Sequence, residues 1–477
     1  MKSLALLSAA LLTCLAAARA QDALALYHWE AVPKRLLLNP AARVEHRAWL
    51  SLPVVGHVGT SLQLPWSTAN VLALGDRGLA EAFGEGVEDL PLDVPAVIRG
   101  VEGVGQVRLT SRVNLLSAGV NTRAGLFSLH LDQQVDAHAA IGPAPARGLY
   151  FGEAAVLADG LDVRGTHYDA SVRTALALGY QVAPRHTGWR LGVNVKVTKT
   201  QAHARLADID SEVIRTDTGV AVLFTGAQQV GGFSDVYEDR VDGDELGVGR
   251  LLAGGNLGLG VDLGAAYLIG ERLELSASVT DLGFQRLGWE SGEYGFRERL
   301  TVGESEPLSS REVVTVGEFV EEGDALGNAG RDSLTNRDAY TRPLPAAVYL
   351  GGEYRFAGDH ALGLTVRNSL RNGRLQTATA VSLHLRPHRS LEANASVTYS
   401  NLGGVGVGFG ASLRLAVLQV YAGSDNVLAL VRPEGARWGS AVAGVTLLLP
   451  RRRPSRGLGT MRQRTRVGGR GIRCPKF

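Results

Sequence analysis

Apolar and polar residues alternate with a period of two through much of this chain, most regularly between Leu391 and Leu415. Leu391, Ala393, Ala395, Val397 and Tyr399 fall on one face, and Glu392, Asn394, Ser396, Thr398 and Ser400 on the other. Turn residues follow at Asn401–Gly404. Val405, Val407, Phe409, Ala411, Leu413 and Leu415 then oppose Gly406, Gly408, Gly410, Ser412 and Arg414. Successive strand side chains point to opposite faces, so the pattern predicts a hairpin with one apolar face and one polar or glycine face. Each strand is about ten residues long, enough to cross a hydrocarbon core when tilted.

The same pattern recurs along the chain. Trp189, Leu191, Val193, Val195 and Val197 oppose Arg190, Asn194 and Lys196; Leu257 through Tyr267 oppose Gly258, Gly260, Asp262 and Gly264. Leu273, Leu275, Ala277 and Val279 oppose Arg272 and Glu274, and Val348, Leu350 and Tyr354 oppose Tyr349, Glu353 and Arg355. The alternation begins near Arg47, runs through Val58–Leu64, and ends with Trp438–Leu449. Weaker segments bring the total to about fourteen strands. Short turns such as Asn372-Gly373 separate longer insertions near 67–103, 141–162, 225–252 and 285–342. Short turns on one rim and long loops on the other are the habit of a membrane barrel. The number of strands exceeds a sandwich domain, and no repeat of propeller length is visible.

Periodicity alone does not say which face points inward. The recurrence of Arg, Lys, Glu and Asn at mid-strand points to a polar lumen. The expected fold is therefore all-β, an antiparallel transmembrane β-barrel over 46–449 with a helix/loop insertion at 67–103. Arg190, Asn194, Lys196, Asp262, Arg272, Glu274, Glu353, Arg355, Glu392, Asn394 and Arg414 are expected to face the lumen. Leu275, Val397, Phe409 and Leu413 are expected to face lipid.

The ends of the chain add to this picture. Residues 1–20 read as a signal peptide, with Lys2, an apolar stretch from Leu4 to Ala17, and Ala18-Arg19-Ala20 before the expected cleavage. Outer-membrane localisation in a Gram-negative cell, in contact with its lipid, is the expectation. Thr13 is a poor neighbour for a lipidated Cys14, and cleavage leaves Cys474 alone, so no internal disulfide can form. The mature chain holds no apolar run long enough for a membrane helix. Glycine, 60 of 477 residues, sits at strand positions opposite apolar ones, where it leaves room inside a curved sheet. Aromatic residues are only 6%.

The net charge of +2 hides a split. Ten basic and no acidic side chains lie in residues 450–477; setting these aside with Lys2 and Arg19 leaves 21–449 at −10. The tail is expected to be disordered, since it cannot bury enough surface to offset its ordering entropy. It lacks interleaved aromatics, so nucleic acid is not an expected partner.

Seven acids crowd residues 304–324 without the spacing of a calcium loop, which favours a solvated external loop. His130, His138, His167, His186 and His203 have no nucleophile motif nearby and suit a rim or lumen. No catalytic residue, metal site or cofactor is expected, and the chain is not expected to be an enzyme.

Several stretches resemble a family of outer-membrane barrels known only as a domain of unknown function. They are Asn39-Pro40-Ala41 with Trp49-Leu50-Ser51-Leu52-Pro53, Gly258–Tyr267 with Val279–Gly283, Leu344–Phe356, and Gln419–Val427. That family is similar to FadL-like transporters of hydrophobic compounds and to barrels associated with type IX secretion. The resemblance implies that residues 21–45 form a plug-like segment anchored by Asn39, Pro40 and Ala41; an ordinary proline turn is the simpler reading of the same residues. The basic tail is not a feature of the resemblance. Two functions of different class fit. One is a channel or transporter of small, in FadL-like barrels hydrophobic, solutes; the other is a non-transporting structural or accessory barrel of a secretion or surface-anchoring system, with a periplasmic or secretion-system protein partner.

Overall fold

A computed structural model describes residues 24–65, 67, 91–93, 95–96, 106–140, 163, 166–184, 187–216, 219–232, 255–302, 313–315, 339–356, 360–371, 374–388, 390–401, 403–432 and 435–450. The signal peptide, the basic tail, the acids of 304–324, His186, most of 67–103 and all of 141–162 lie outside the described residues.

The strands run in chain order as β1 (His46–Ser51), β2 (Val58–Gln63), β3 (Pro91–Asp93), β4 (Gln106–Asn121), β5 (Leu126–Ala140), β6 (His167–Val182) and β7 (Trp189–Thr216). There follow β8 (Gly219–Gly231), β9 (Leu257–Ile269), β10 (Leu273–Leu287), β11 (Ser291–Val302), β12 (Val313–Thr315), β13 (Tyr340–Pro343) and β14 (Ala347–Arg355). The last six are β15 (Ala361–Arg371), β16 (Arg374–His388), β17 (Leu391–Ser400), β18 (Gly404–Leu415), β19 (Leu418–Ser424) and β20 (Trp438–Pro450). Neighbours in the sheet pair antiparallel, and β1 and β2 bond both β20 and β4, which closes it. With β1–β2 and β13–β14 each counted as one interrupted strand, and β8 and β11 left out because they pair only beyond the rim, the barrel has 14 strands. Closure leaves the 14 barrel strands without a free edge among the described residues, the condition for crossing a membrane with strands.

The apolar faces point outward. Leu275, Val397, Phe409 and Leu413 are 44–54% exposed, among many other outward Leu, Val and Tyr residues, while Asn194, Asp262, Asn394 and Ser396 are buried. In water such a continuous apolar surface would drive association; in lipid it is the correct exterior. Among the described residues, six of the nine exposed aromatics lie at the rim of short turns. There Phe127 and Tyr180 pack at 5.1 Å, Trp189 and Tyr267 at 4.7 Å, and Tyr354 and Phe356 continue the band. An aromatic belt of this kind anchors a barrel at the interface.

Three features depart from simple alternation. First, residues 52–57 interrupt the opening strand: six residues face only Asn114–Leu116 of β4, and His57 turns inward to Tyr421 Oη at 2.7 Å. Second, a bulge in β10 between Val279 and Leu282 turns Asp281 inward beside Thr280, with φ of +57° at Asp281. Third, β7 pairs with β9 only up to Lys199 and with β8 from His203 onward, while β8 pairs with β11. These strands rise beyond the barrel rim. The expected loops at 225–252 and 285–342 are thus strand in part, up to Gly231 and from Ser291 to Val302. Gly226-Ala227-Gln228-Gln229 has no apolar rhythm, yet the backbone ladder continues through it, since ladder bonds do not depend on side chains.

Candidate functional site

The N-terminal segment, residues 24–45, lies inside the barrel. Nearly all of its side chains are buried, from Leu24, Tyr27 and Trp29 to Val32, Leu36, Leu38 and Val44. They pack against inward-facing Ala347, Tyr349, Ala378, Ala380 and Tyr421, and against Trp49, Leu126 and Leu448. An apolar core inside a polar wall needs its backbone groups bonded. Two 3₁₀ turns, Leu24–His28 and Pro33–Leu37, supply the bonds locally, with Trp29 N to Leu26 O at 3.1 Å and Leu38 N to Arg35 O at 3.0 Å. Pro33 suits the start of the second turn because its fixed φ is already helical.

Glycines of the wall form seats for this segment. A Cβ on Gly351 would meet Tyr27, one on Gly363 would meet His28, and one on Gly410 would meet Trp29, all within 3.0 Å. Tyr27 also stacks on Tyr349 at 5.8 Å.

Asn39-Pro40-Ala41 is both a turn and a fixed contact. Asn39 Oδ1 accepts from Ala41 N at 2.8 Å, and its Nδ2 donates to Tyr27 Oη at 2.9 Å. Gln181 Nε2 donates to the carbonyls of Pro40 and Ala42 at 3.0 and 2.8 Å, and Arg190 Nε donates to Ala41 O. The turn rests on Gly192 and Gly264, where a Cβ would come within 2.2 Å of Pro40 O and 2.3 Å of Asn39 Oδ1.

Charges of the wall are gathered into networks that hold the segment. Arg355 pairs with Glu30 of the segment at 2.6 Å, with Glu353 at 2.8 Å and with Glu274 at 3.7 Å; Arg190 closes on Glu274, and His28 on Glu353 at 3.3 Å. Lys196 lies between Asp262 and Asp281 at 2.7 and 2.8 Å, with Asn194 Nδ2 donating to Asp262 at 2.9 Å. Arg386 joins Glu392 to Glu45, both at 2.8 Å. Burial is tolerable for these ions because each is paired and bonded.

Nine of the eleven expected lumen residues have inward-directed side chains: Arg190, Asn194, Lys196, Asp262, Glu274, Glu353, Arg355, Glu392 and Asn394. Arg414 has the right parity but lies at the short-turn rim, where its Nε donates to Ala416 O at 3.1 Å. Arg272 is a correction. It sits in the exposed turn between β9 and β10, because the strand begins only at Leu273 and alternation has no meaning in a turn. Of the histidines, His130, His138 and His203 are buried inward. Residues that the alternation did not single out include Asp281, hidden by its bulge, and His28, Glu30 and Lys34, which lie in an aperiodic segment.

Lys34 is 2% exposed, and its Nζ finds no hydrogen-bond partner among the described residues. Burial draws its pKa down to about 7, opposed by Asp132 and reinforced by Arg112. The docked form then releases its proton near pH 7, while the undocked chain holds it to 10.5. Docking should therefore strengthen with pH between those values, by up to about 1.4 kcal/mol per unit. Lys34→Met should tighten docking at pH 7 and flatten that slope. Protease protection of the segment against pH measures both; an unchanged slope would rule out Lys34 as its source.

Residues 40–425 match a family described only as a family of unknown function, DUF5723. The chain belongs to that family. No curated protein matches it. Among solved structures, the Pseudomonas putida toluene transporter TodX is similar at 10% identity and a TM-score of 0.41, covering 87% of this chain and 92% of that one. A Pseudomonas aeruginosa FadL homologue is similar at 13% identity and 0.41, covering 87% and 93%. A porin mutant of Rh. blastica is similar at 11% identity and 0.23, covering 84% and 99%. The barrel assignment for this DUF5723 protein rests on its own strand pairing and on its apolar exterior.

Proposed function

We propose that this protein is an outer-membrane channel for small solutes whose lumen is held shut by its own N-terminal segment. The observation that carries the reading is a closed, lipid-facing barrel with a charged inner wall, filled in its short-turn half by residues 24–45. A segment held by glycine seats and ion pairs, rather than by strand pairing, can leave without breaking the sheet. The first barrel strand begins and the last one ends at the short-turn rim, where His46 pairs with Pro450, the periplasmic side in barrels of this kind. The proposal includes export by the signal peptide and cleavage after Ala20, and it assigns no catalytic step.

Deleting residues 21–45 behind an intact signal should leave a barrel that still migrates as folded on an unboiled gel and admits small sugars in a liposome-swelling assay. A folded deletion that stays impermeable would favour the second reading, an accessory barrel that does not transport. Two observations favour that reading: the filled lumen, and the strands β7, β8 and β11 that stand beyond the rim as a surface for a protein partner.

A further inference from the structure

The wall beneath the first half of the N-terminal segment is polar, and much of it is left without bonds. β17 turns Asn394, Ser396 and Thr398 inward, as its alternation requires. His384 of β16 stands across from Asn394, and Gln419 faces inward from β19. These five side chains and Trp29 of the segment are only 1–4% exposed. Yet Asn394 Nδ2 and Oδ1, Ser396 Oγ, Thr398 Oγ1, His384 Nδ1, Gln419 Oε1 and Trp29 Nε1 have no hydrogen-bond partner among the described residues.

The segment lies against each of these positions. Trp29 and Asn394 share the seat over Gly410, where an added Cβ would come within 3.0 Å of both. Ser396 meets Gly408 beside Asp425, whose carboxylate accepts from Leu24 N at 2.7 Å. Thr398 pairs with Ala380, which packs in one apolar cluster with Leu24 and Leu26. His384 meets His28 edge to face at 6.2 Å. Gln419 Nε2 donates to Ala31 O at 3.0 Å, which leaves its Oε1 unbonded. Residues 38–42 are held differently: Ser278 Oγ donates to Leu38 O at 2.6 Å, and Gln181 donates to Pro40 and Ala42.

A buried donor or acceptor that gives up water and gains no partner disfavours the state that buries it. An apolar side chain of the same shape carries no such penalty, and the neighbouring Ala378 and Ala380 show that the wall accommodates apolar residues here. We infer that the inner face of β17, with His384 and Gln419, is a wall that is wetted when the segment leaves. Its unbonded groups then oppose the ion pairs and glycine seats and hold docking of residues 24–31 close to balance. The inference deepens the channel reading and rests on it for what undocking does, while the docking balance is measured separately.

The test uses Asn394→Leu and Thr398→Val, singly and together, in the full mature chain refolded in detergent. Protease protection of residues 24–45 is followed in urea too dilute to unfold the barrel. Each change should raise protection roughly fivefold, the effect of one unbonded buried group removed, and should lower the open fraction in single-channel records. Gln181→Leu, the same kind of change at a bonded side chain, should lower protection instead. Migration on an unboiled gel reports folding, and Ser396→Ala with Thr398→Val carries the test if Asn394→Leu fails to fold. Unchanged or lowered protection in the folded apolar variants would overturn the inference, because those groups would then be satisfied in the docked state. Raised protection, with no conductance even in the chain lacking residues 21–45, would keep the docking balance and refute the channel. Conductance of that deletion with unchanged protection in the apolar variants would refute the inference and keep the channel.

Discussion

Replacing Val397 by Arg should destabilise the folded barrel by about 2–4 kcal/mol, the cost of a cation on the lipid face near the membrane midplane. Val397 is central in β17, 54% exposed, and paired with Val381 and Val407, themselves 47% and 44% exposed. The adjacent Ser396→Arg tests the other face. Ser396 is buried, and a Cβ on Gly408 would come within 2.2 Å of its Oγ, so the space there is already filled. Arginine at 396 should spare the strand ladder and displace what lies inside. The measurements are urea unfolding of the refolded barrel for Val397→Arg, and protease protection of residues 24–45 for Ser396→Arg. Equal loss of barrel stability in both variants would refute the assigned orientation.

Gly264→Val should free the N-terminal segment. Its Cβ alone would lie 2.3 Å from Asn39 Oδ1 and 2.7 Å from Ala41 N, so the turn must move away. Overpacking of this kind costs about 1–3 kcal/mol, and the bonds of Gln181 and Arg190 to the segment are lost with it. The expected result is cleavage of the segment by protease and a rise in single-channel conductance approaching that of the 21–45 deletion. Gly270→Val, in a turn with open space around the added Cβ, is the control for a glycine substitution in the same region, although its φ of +62° adds backbone strain. If Gly264→Val retains both protection and low conductance, the Asn39-Pro40-Ala41 contact does not hold the lumen shut.

The sequence by itself determined the strands and their faces. A ladder bonds residue by residue to its neighbour, so a period of two records which face each side chain occupies, and β17 and β18 appear as the alternation places them. The apolar exterior followed from the same rhythm once Arg, Lys and Glu were seen to recur opposite it. Only the tertiary structure decided what fills the lumen. Its contacts join residues far apart in the chain: Leu24 N donates to Asp425, 401 residues away, and Arg108 reaches Gln376, 268 residues away. The segment that makes the inner core has no strand period because it makes no ladder. Its ring contacts depend on glycines whose value lies in the side chain they lack. Asp281 was hidden because a bulge reverses parity after Val279, and Arg272 was misplaced because parity stops where a strand does. Arg108 and Arg367 line one space only because barrel closure brings β4 and β15 face to face across the lumen.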